Sequence, residues 1–186
     1  MIILASRSPR RAALLQQIGV PFTGLAADID ETPLAGETPE DFVRRMAVGK
    51  AQAIHMQHPG DIVLGSDTAV VLDGQILGKP ANREHALDML LALSGREHRV
   101  LTGVALQHAQ LDYALSDSRV FFARLTRTQA ERYWDSGEPL DKAGAYAIQG
   151  QAAVFIRRIE GSYSGIMGLP LYETARLLAK AAQGSR

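Results

Sequence analysis

The chain contains no cysteine, which removes disulfides, thiol catalysis and cysteine-ligated zinc in one step. It carries no net charge either. Twenty Lys and Arg balance twenty Asp and Glu, so no overall field draws the molecule toward nucleic acid or an anionic membrane. Aromatic residues make up only 6% and Trp134 is the single tryptophan, and no strip alternates aromatic with basic side chains as single-strand binding requires. No apolar run reaches the roughly 20 residues of a membrane span, and the start lacks the basic-then-apolar order of a secretory signal. A cytoplasmic enzyme or binding protein is therefore the expectation, with neither nucleic acid nor membrane as partner. The five histidines, His55, His58, His85, His98 and His108, show no tight metal-ligand spacing beyond His55 and His58, which fall near an expected helix end where surface roles predominate. A length of 186 residues suffices for one compact core and is marginal for two, so a single bilobed domain over residues 1–186 is expected.

What is present is an alternation of strand-like apolar runs and helical patterns, the mark of an α/β fold. Met1 to Leu4 is followed almost at once by Ser8-Pro9, an N-cap and a first helical position, so backbone N–H groups and the positive helix end point out of a tight turn. Arg7, Arg10 and Arg11 crowd that turn where acidic residues would normally balance it. An anion site and a solvated basic turn are both compatible with these residues. Thr38-Pro39 starts a helix whose apolar stripe runs through Phe42, Val43, Met46, Ala47, Ala53 and Ile54 and ends near Pro59-Gly60. Ile62–Leu64 and Ala69–Leu72 are predicted as strands broken at Gly65-Ser66-Asp67-Thr68, and Asp73-Gly74 as a hairpin turn into 75–77. Further along, the pattern predicts a helix over 83–93, long strands over 99–106 and 115–124, and a helix over 128–135. A strand over 153–159 and a helix from after Pro170 to about Ala182 close the chain.

Several charged side chains occupy positions where core residues belong. Lys50 follows Met46 by four and precedes Ala53 by three, Arg11 shares a face with Leu14, Leu15 and Ile18, and Lys79 precedes Pro80 at the mouth of the hairpin. Each alone could snorkel to water, whereas three cations leaving the core side of separate elements could converge on one phosphate-bearing ligand. The acidic candidates are Asp67, placed at a strand end, and the group Asp28, Asp30 and Glu31 after the apolar run 22–27. A carboxylate at the carboxyl end of a strand suits a site crevice, while the second group reads equally as a solvated acidic loop. One or two carboxylates with phosphate oxygens and water suffice for Mg²⁺, so no histidine cage is required.

These residues fall into an ordered set of motifs: Leu4-Ala5-Ser6-Arg7-Ser8-Pro9-Arg10-Arg11, Asp30-Glu31, Lys50-Ala51, Gly65-Ser66-Asp67-Thr68, Gly78-Lys79-Pro80, Leu93-Ser94-Gly95, Thr102-Gly103, residues 137–146, Ile148-Gln149-Gly150 and Gly168-Leu169-Pro170-Leu171. Over nearly its whole length the chain thereby resembles the Maf family of nucleoside triphosphate pyrophosphatases, and within it the branch that prefers dTTP and UTP. The stretch from Gly137 to Gly150 carries the branch signature. The 7-methyl-GTP branch typically differs at the positions matching Arg10, Thr68 and Gln149. The resemblance implies an elongated mixed α/β sheet with flanking helices and a central cleft, similar to the inosine triphosphate pyrophosphatases. It also implies hydrolysis of dTTP and UTP, and of modified pyrimidine nucleotides sharing their polar edge, to the monophosphate and pyrophosphate.

The resemblance further implies a divalent cation, Mg²⁺ or Mn²⁺. It matches Asp67 to the catalytic acid/base position, Arg10, Thr68 and Gln149 to specificity positions, and Ser6, Glu31, Lys50 and Lys79 to residues that handle phosphate or metal. Glu31 and Asp67 are the metal candidates, and Ser6, Arg11, Lys50 and Lys79 the phosphate candidates. Family members are often homodimers, and a homodimer is the assembly to test. The alternatives are a preference for 7-methyl-GTP or other modified nucleotides, as a housecleaning activity, and a non-enzymatic regulator of septum formation, which the zero net charge disfavours. Two positions depart from the family pattern: Arg7 stands where a small or uncharged residue is common, and Gly49 replaces a longer side chain inside a helix at a cost of about 1 kcal/mol relative to alanine unless a close approach uses it. Cations near the β and γ phosphates stabilise departing pyrophosphate more than bound substrate, which is the role expected of Arg11, Lys50 and Lys79. Asp67 is expected to hold or deprotonate water, and the Gln149 amide to pair with the edge of a uracil or thymine.

Overall fold

The computed structural model describes residues 1–184; residues 185 and 186 of the expected domain lie outside the described residues. Strand β1 (Ile2–Ala5) turns through Ser6-Arg7-Ser8 into α1 (Pro9–Gln17), and β2 (Thr23–Leu25) follows. Ser8 caps α1 by accepting from the Arg11 N–H at 3.4 Å, with Pro9 in the first turn. Helix α2 (Pro39–His55) is capped by Thr38, which accepts from the Asp41 N–H at 3.1 Å. Then come β3 (Ile62–Leu72), β4 (Gln75–Leu77), α3 (Arg83–Leu93), β5 (Glu97–Gln107), β6 (Leu111–Phe122) and α4 (Arg127–Asp135). Two 3-10 turns, Ala143–Ala145 and Gln151–Phe155, lead into β7 (Ile156–Glu160), α5 (Tyr163–Met167) and α6 (Leu171–Gly184).

The seven strands form one mixed sheet in the order β2-β1-β3-β5-β6-β7, with β4 on β3. β1 runs parallel to β2 and β3, and every other pair is antiparallel. β3 organises the molecule. Its first residues, Ile62 to Leu64, pair with β1, and its last, Val70 to Leu72, pair with β4. Residues 65–69 thus hydrogen-bond to β5 on one side and face a gap in the sheet on the other. The gap opens just past the carboxyl end of β1, where the chain turns into α1.

Helix α2 lies on this sheet at backbone contact. A side chain at Gly65 would collide with the Ala47 carbonyl and come within 2.8 Å of the Ala51 amide nitrogen, and one at Gly103 would come within 2.8 Å of the Val43 carbonyl. Two glycines on adjacent strands therefore set the depth of the helix that carries Lys50. Four apolar clusters complete the core. Val43, Met46, Ala47, Ala51 and Ile54 on the underside of α2 pack on Ile3, Val63, Ala69, Leu101 and Ala105 of the sheet, Leu14 and Leu15 of α1 meet Leu64, Val104 and Leu169, and the largest cluster gathers α3, α4 and the 143–155 segment around Val100, Val120 and Phe122. No helix among the described residues is long and apolar enough to cross a membrane.

Two expectations about strands need correction. Gly65-Ser66-Asp67-Thr68 does not break a strand, because β3 runs through it with every residue paired to β5; Asp67 therefore sits in mid-strand beside a gap, not at a strand end. The strand predicted over 153–159 begins only at Ile156, because 151–155 winds into a 3-10 turn whose Ala152 and Phe155 are buried. Short apolar runs carry no periodicity that separates the two states.

Candidate active site

The site assembles where α1, α2 and β3 meet at the sheet gap. Lys50 emerges from the buried face of α2, only 8% exposed, and its Nζ lies 2.7 Å from Asp67 Oδ1 and 2.7 Å from Glu31 Oε1. It does not snorkel to water. A buried ammonium needs such partners, and the Lys50 contact takes one oxygen from each carboxylate. Asp67 is 9% exposed, whereas Glu31 is on the open side. Burial pushes the Glu31 carboxyl up, but the hydrogen bond and charge of Lys50, with the charges of Lys79 and Arg11, outweigh it and hold Glu31 below the usual carboxylate range. A Cβ on Gly49 would meet only the end of the Ile29 side chain, at 3.3 Å from Cδ1, a contact that a shift of that methyl relieves. Asp28 and Asp30 are exposed, and Asp30 accepts from the Thr32 N–H at 2.9 Å. Of the three acidic residues in that loop, only Glu31 is paired with Lys50.

Across the gap, Arg11 donates through Nε to the Gly168 carbonyl at 2.8 Å, through Nη1 to Ser6 Oγ at 3.4 Å and through Nη2 to Thr68 Oγ1 at 3.2 Å. Burial lowers its pKa against the opposing pull of Asp67, Arg10 adds to the lowering, and Glu31 opposes it. Ser6 also accepts from the Ser8 N–H at 3.1 Å, tying the turn to the first turn of α1. Thr68 and Thr102 hydroxyls lie 3.0 Å apart, and Thr102 donates to the Gly165 carbonyl at 2.7 Å. Thr102 has a single hydroxyl proton, so the proton between the two threonines comes from Thr68. Thr68 thus accepts from Arg11, donates to Thr102, and has one lone pair left to accept from a ligand. Ser66 reaches the Gly103 and Gly168 carbonyls at 2.9 and 3.0 Å, fastening the 168 loop to the sheet.

Arg10 lies on the neighbouring face of α1 and donates to the Met167 carbonyl at 3.4 Å, and burial lowers its pKa. Lys79 joins through its charge, which reaches both Glu31 and Lys142. Lys142, within the 137–146 motif, stands beside them. Burial lowers its pKa, and the charge of Arg10 and then that of Lys79 push the same way, so it belongs to the cationic rim. Gln149 stands apart. It is exposed on the loop between the two 3-10 turns, and no hydrogen bond among the described residues joins it to the Lys50 cluster. Arg7 is exposed and outside these contacts. The structure therefore brings together Ser6, Arg11, Glu31, Lys50, Asp67 and Thr68, sets Arg10, Lys79 and Lys142 around them by charge, and leaves Gln149 on a separate support.

Such a centre holds two carboxylates and two cations, Arg11 and Lys50, at the gap, with Arg10, Lys79 and Lys142 around them and the carboxylates sharing one ammonium. A polyanion that brings its own oxygens would be bound by the cations and would release a carboxylate to act on water. Among the described residues no three His, Cys, Asp or Glu side chains cluster as a metal cage. Glu31 and Asp67 nonetheless offer the one-or-two-carboxylate donor set that Mg²⁺ uses when substrate phosphates complete its shell.

Comparison with known proteins identifies the family and the fold. Residues 1–181 match the family model described as Maf-like protein. A dTTP/UTP pyrophosphatase of Pseudoalteromonas atlantica is 54% identical, with 97% of this chain and 96% of the relative covered. The dTTP/UTP pyrophosphatase of Methylococcus capsulatus is 52% identical over 99% of this chain and 92% of its own. Among solved structures, a HAM1 protein from Coxiella burnetii shares the fold at a TM-score of 0.54 and 17% identity, over 96% of this chain and 98% of that one. The Staphylococcus aureus Ham1 protein does so at a TM-score of 0.53 and 14% identity, over 100% and 99%. With a family model spanning nearly the whole length and relatives sharing about half their residues, the chain belongs to the Maf family.

Proposed function

We propose that this protein hydrolyses dTTP and UTP, together with modified pyrimidine nucleotides of the same polar edge, to the nucleoside monophosphate and pyrophosphate. The observation that carries the reading is Lys50 held at 2.7 Å from both Asp67 and Glu31, with Arg11 beside them in the sheet gap. Full-length relatives named dTTP/UTP pyrophosphatase support the choice of substrate.

The chemistry follows from charge. Pyrophosphate carries more negative charge as it leaves than it did within the substrate, so Arg11, Lys50 and Lys79 around the β and γ phosphates stabilise the transition state more than the ground state. Phosphate oxygens compete for the Lys50 ammonium, and the Asp67 carboxylate is then free to orient water toward the α phosphorus and to take its proton at a carboxylate oxygen. Ser6 lies at the turn into α1, where it stabilises oxygens that approach the start of the helix. A divalent cation, Mg²⁺ or Mn²⁺, held by Glu31, Asp67 and substrate oxygens, would neutralise phosphate charge and acidify water. At the nucleoside end, Arg10, Thr68 and Gln149 choose the base: the free lone pair of Thr68 suits a donor, and the Gln149 amide can donate to O4 of uracil or thymine. We also propose a cytoplasmic location, where nucleoside triphosphates are available as substrate.

The test is a panel of dTTP, UTP, CTP and 7-methyl-GTP with kcat/KM and product analysis for each. The reading requires kcat/KM for dTTP and UTP at least about tenfold above the others, a difference near 1.4 kcal/mol. A preference for 7-methyl-GTP, or no hydrolysis of any triphosphate, would overturn it.

A further inference from the structure

Gln149, given the base-selecting role above, stands on a loop that is otherwise buried: residues 144–148 are buried on one side of it and Ala152 on the other, while Gln149 itself is exposed. Both flanks are tied to one pair of side chains. Tyr133 on α4, 3% exposed, accepts from the Ala147 N–H at 3.1 Å and donates to Glu138 Oε1 at 2.7 Å. The Glu138 carboxylate then accepts from the Gln151 N–H at 2.8 Å and the Ala152 N–H at 3.4 Å. A charged acceptor on free N–H groups at the start of a 3-10 turn is among the stronger protein hydrogen bonds. Gly150 leaves no alternative packing, because a Cβ there would collide with the Glu138 carboxylate. Glu138 and Tyr133 therefore grip the chain two residues before Gln149 and two residues after it, without touching Gln149.

We propose that Glu138, acting with Tyr133, is the positioning residue for base recognition: it fixes the 147–152 loop so that the Gln149 amide meets the pyrimidine edge in one orientation. This rests on the base-selecting role given to Gln149 above. Glu138 shares no hydrogen bond with Lys50, Asp67 or Arg11, and its tie to the cationic rim is a charge that reaches Lys142. Its loss should therefore change which base is accepted more than whether a triphosphate is hydrolysed. Preorganisation of a recognition group contributes to discrimination because an amide free to swing or flip pairs with either edge.

The experiment compares Glu138→Gln, Tyr133→Phe, Gln149→Ala and the double variant Glu138→Gln/Gln149→Ala, reading the ratio of kcat/KM for dTTP over CTP alongside thermal unfolding. Glu138→Gln keeps the shape but turns an amide donor toward one or two of its three donor partners, and Tyr133→Phe removes only the bridging hydroxyl while its ring keeps the edge contact with Phe155 at 5.5 Å. Each is expected to lower the dTTP/CTP ratio by about tenfold, and the double variant to lie no lower than Gln149→Ala, since residues that act through one another are not additive. Equal losses on dTTP and CTP in both folded single variants, or a double variant showing the product of the two effects, would overturn the proposal. If Gln149→Ala leaves the ratio unchanged, the base-selecting role of Gln149 falls and the positioning role with it. A ratio sensitive to Gln149→Ala but untouched by Glu138→Gln and Tyr133→Phe removes the positioning role alone.

Discussion

Asp67→Asn separates catalysis from folding at the centre of the site. The substitution keeps the side-chain shape and still offers a carbonyl oxygen to Lys50, and Lys50 retains Glu31 at 2.7 Å, so no buried ammonium is stranded. Its effect on stability should therefore stay within about 1 to 2 kcal/mol, well short of the 3 to 5 kcal/mol that breaking a buried pair costs when the partner is left alone. Catalysis is affected differently. An amide cannot take a proton from water, and losing a general base removes roughly two to four orders of magnitude, about 3 to 5 kcal/mol of barrier. Substrate affinity should hold or improve, because a negative charge disappears from among Lys50, Arg11 and Lys79. Steady-state release of pyrophosphate from dTTP, measured beside thermal unfolding, reads all three quantities. A folded Asp67→Asn enzyme with kcat within tenfold of the parent would refute the assignment, and a large rise in KM with kcat intact would show that Asp67 binds substrate instead of activating water.

Three further outcomes are expected. Gln149→Glu turns the amide into an acceptor-only group and leaves O4 of uracil or thymine facing an acceptor, at about 1 to 3 kcal/mol; kcat/KM for dTTP and UTP should fall about tenfold or more relative to CTP, and equal loss for all three would contradict base recognition by this side chain. Burial pushes His98 down to about 4, so between that value and the ordinary 6.5 the unfolded chain binds a proton that the folded one does not; stability is full above about pH 6.5 and falls with acidification by up to about 3 kcal/mol. His98→Gln should flatten that part of the stability–pH curve, and an unchanged slope would exclude His98 as its source. Gly65→Ala drives a methyl into the backbone of α2 and should cost about 3 kcal/mol, at the upper end for overpacking, read as a lower denaturation midpoint; a midpoint equal to the parent's would show that the helix is not seated as described.

Much of the architecture was legible because its signals are local. Ser8-Pro9 and Thr38-Pro39 mark helix starts through capping chemistry that needs no tertiary context, and both helices begin at the proline. The helix at 83–93 was read with its observed bounds, since Asn82 caps one end and Ser94-Gly95 stops the other. Lys50 announced itself by standing on an apolar stripe, which is anomalous unless a partner waits across the core. Asp67 and Glu31 stood out as acidic candidates, but their pairing with Lys50 did not. Asp67 lies in mid-strand because β3 borrows β1 for one half and β4 for the other, and a gap in a sheet is a property of pairing that no short segment encodes. Lys142, Glu138 and Tyr133 were missed for the same reason: their roles depend on Arg10 and Lys79 arriving from distant elements and on backbone N–H groups at 147, 151 and 152. Glu138 within Gly137-Glu138-Pro139 had a detectable signal in retrospect, an acidic residue in a turn-rich loop that carries glycines at 137, 144 and 150.

The central claim is that this cationic gap cleaves the bond between the α and β phosphates while Asp67 directs water to the α phosphorus. Phosphorus NMR of dTTP hydrolysis in ¹⁸O-labelled water tests it most directly. The account predicts thymidine monophosphate carrying the label and unlabelled pyrophosphate as the only initial products. Orthophosphate with the nucleoside diphosphate, or label in the pyrophosphate, would contradict it.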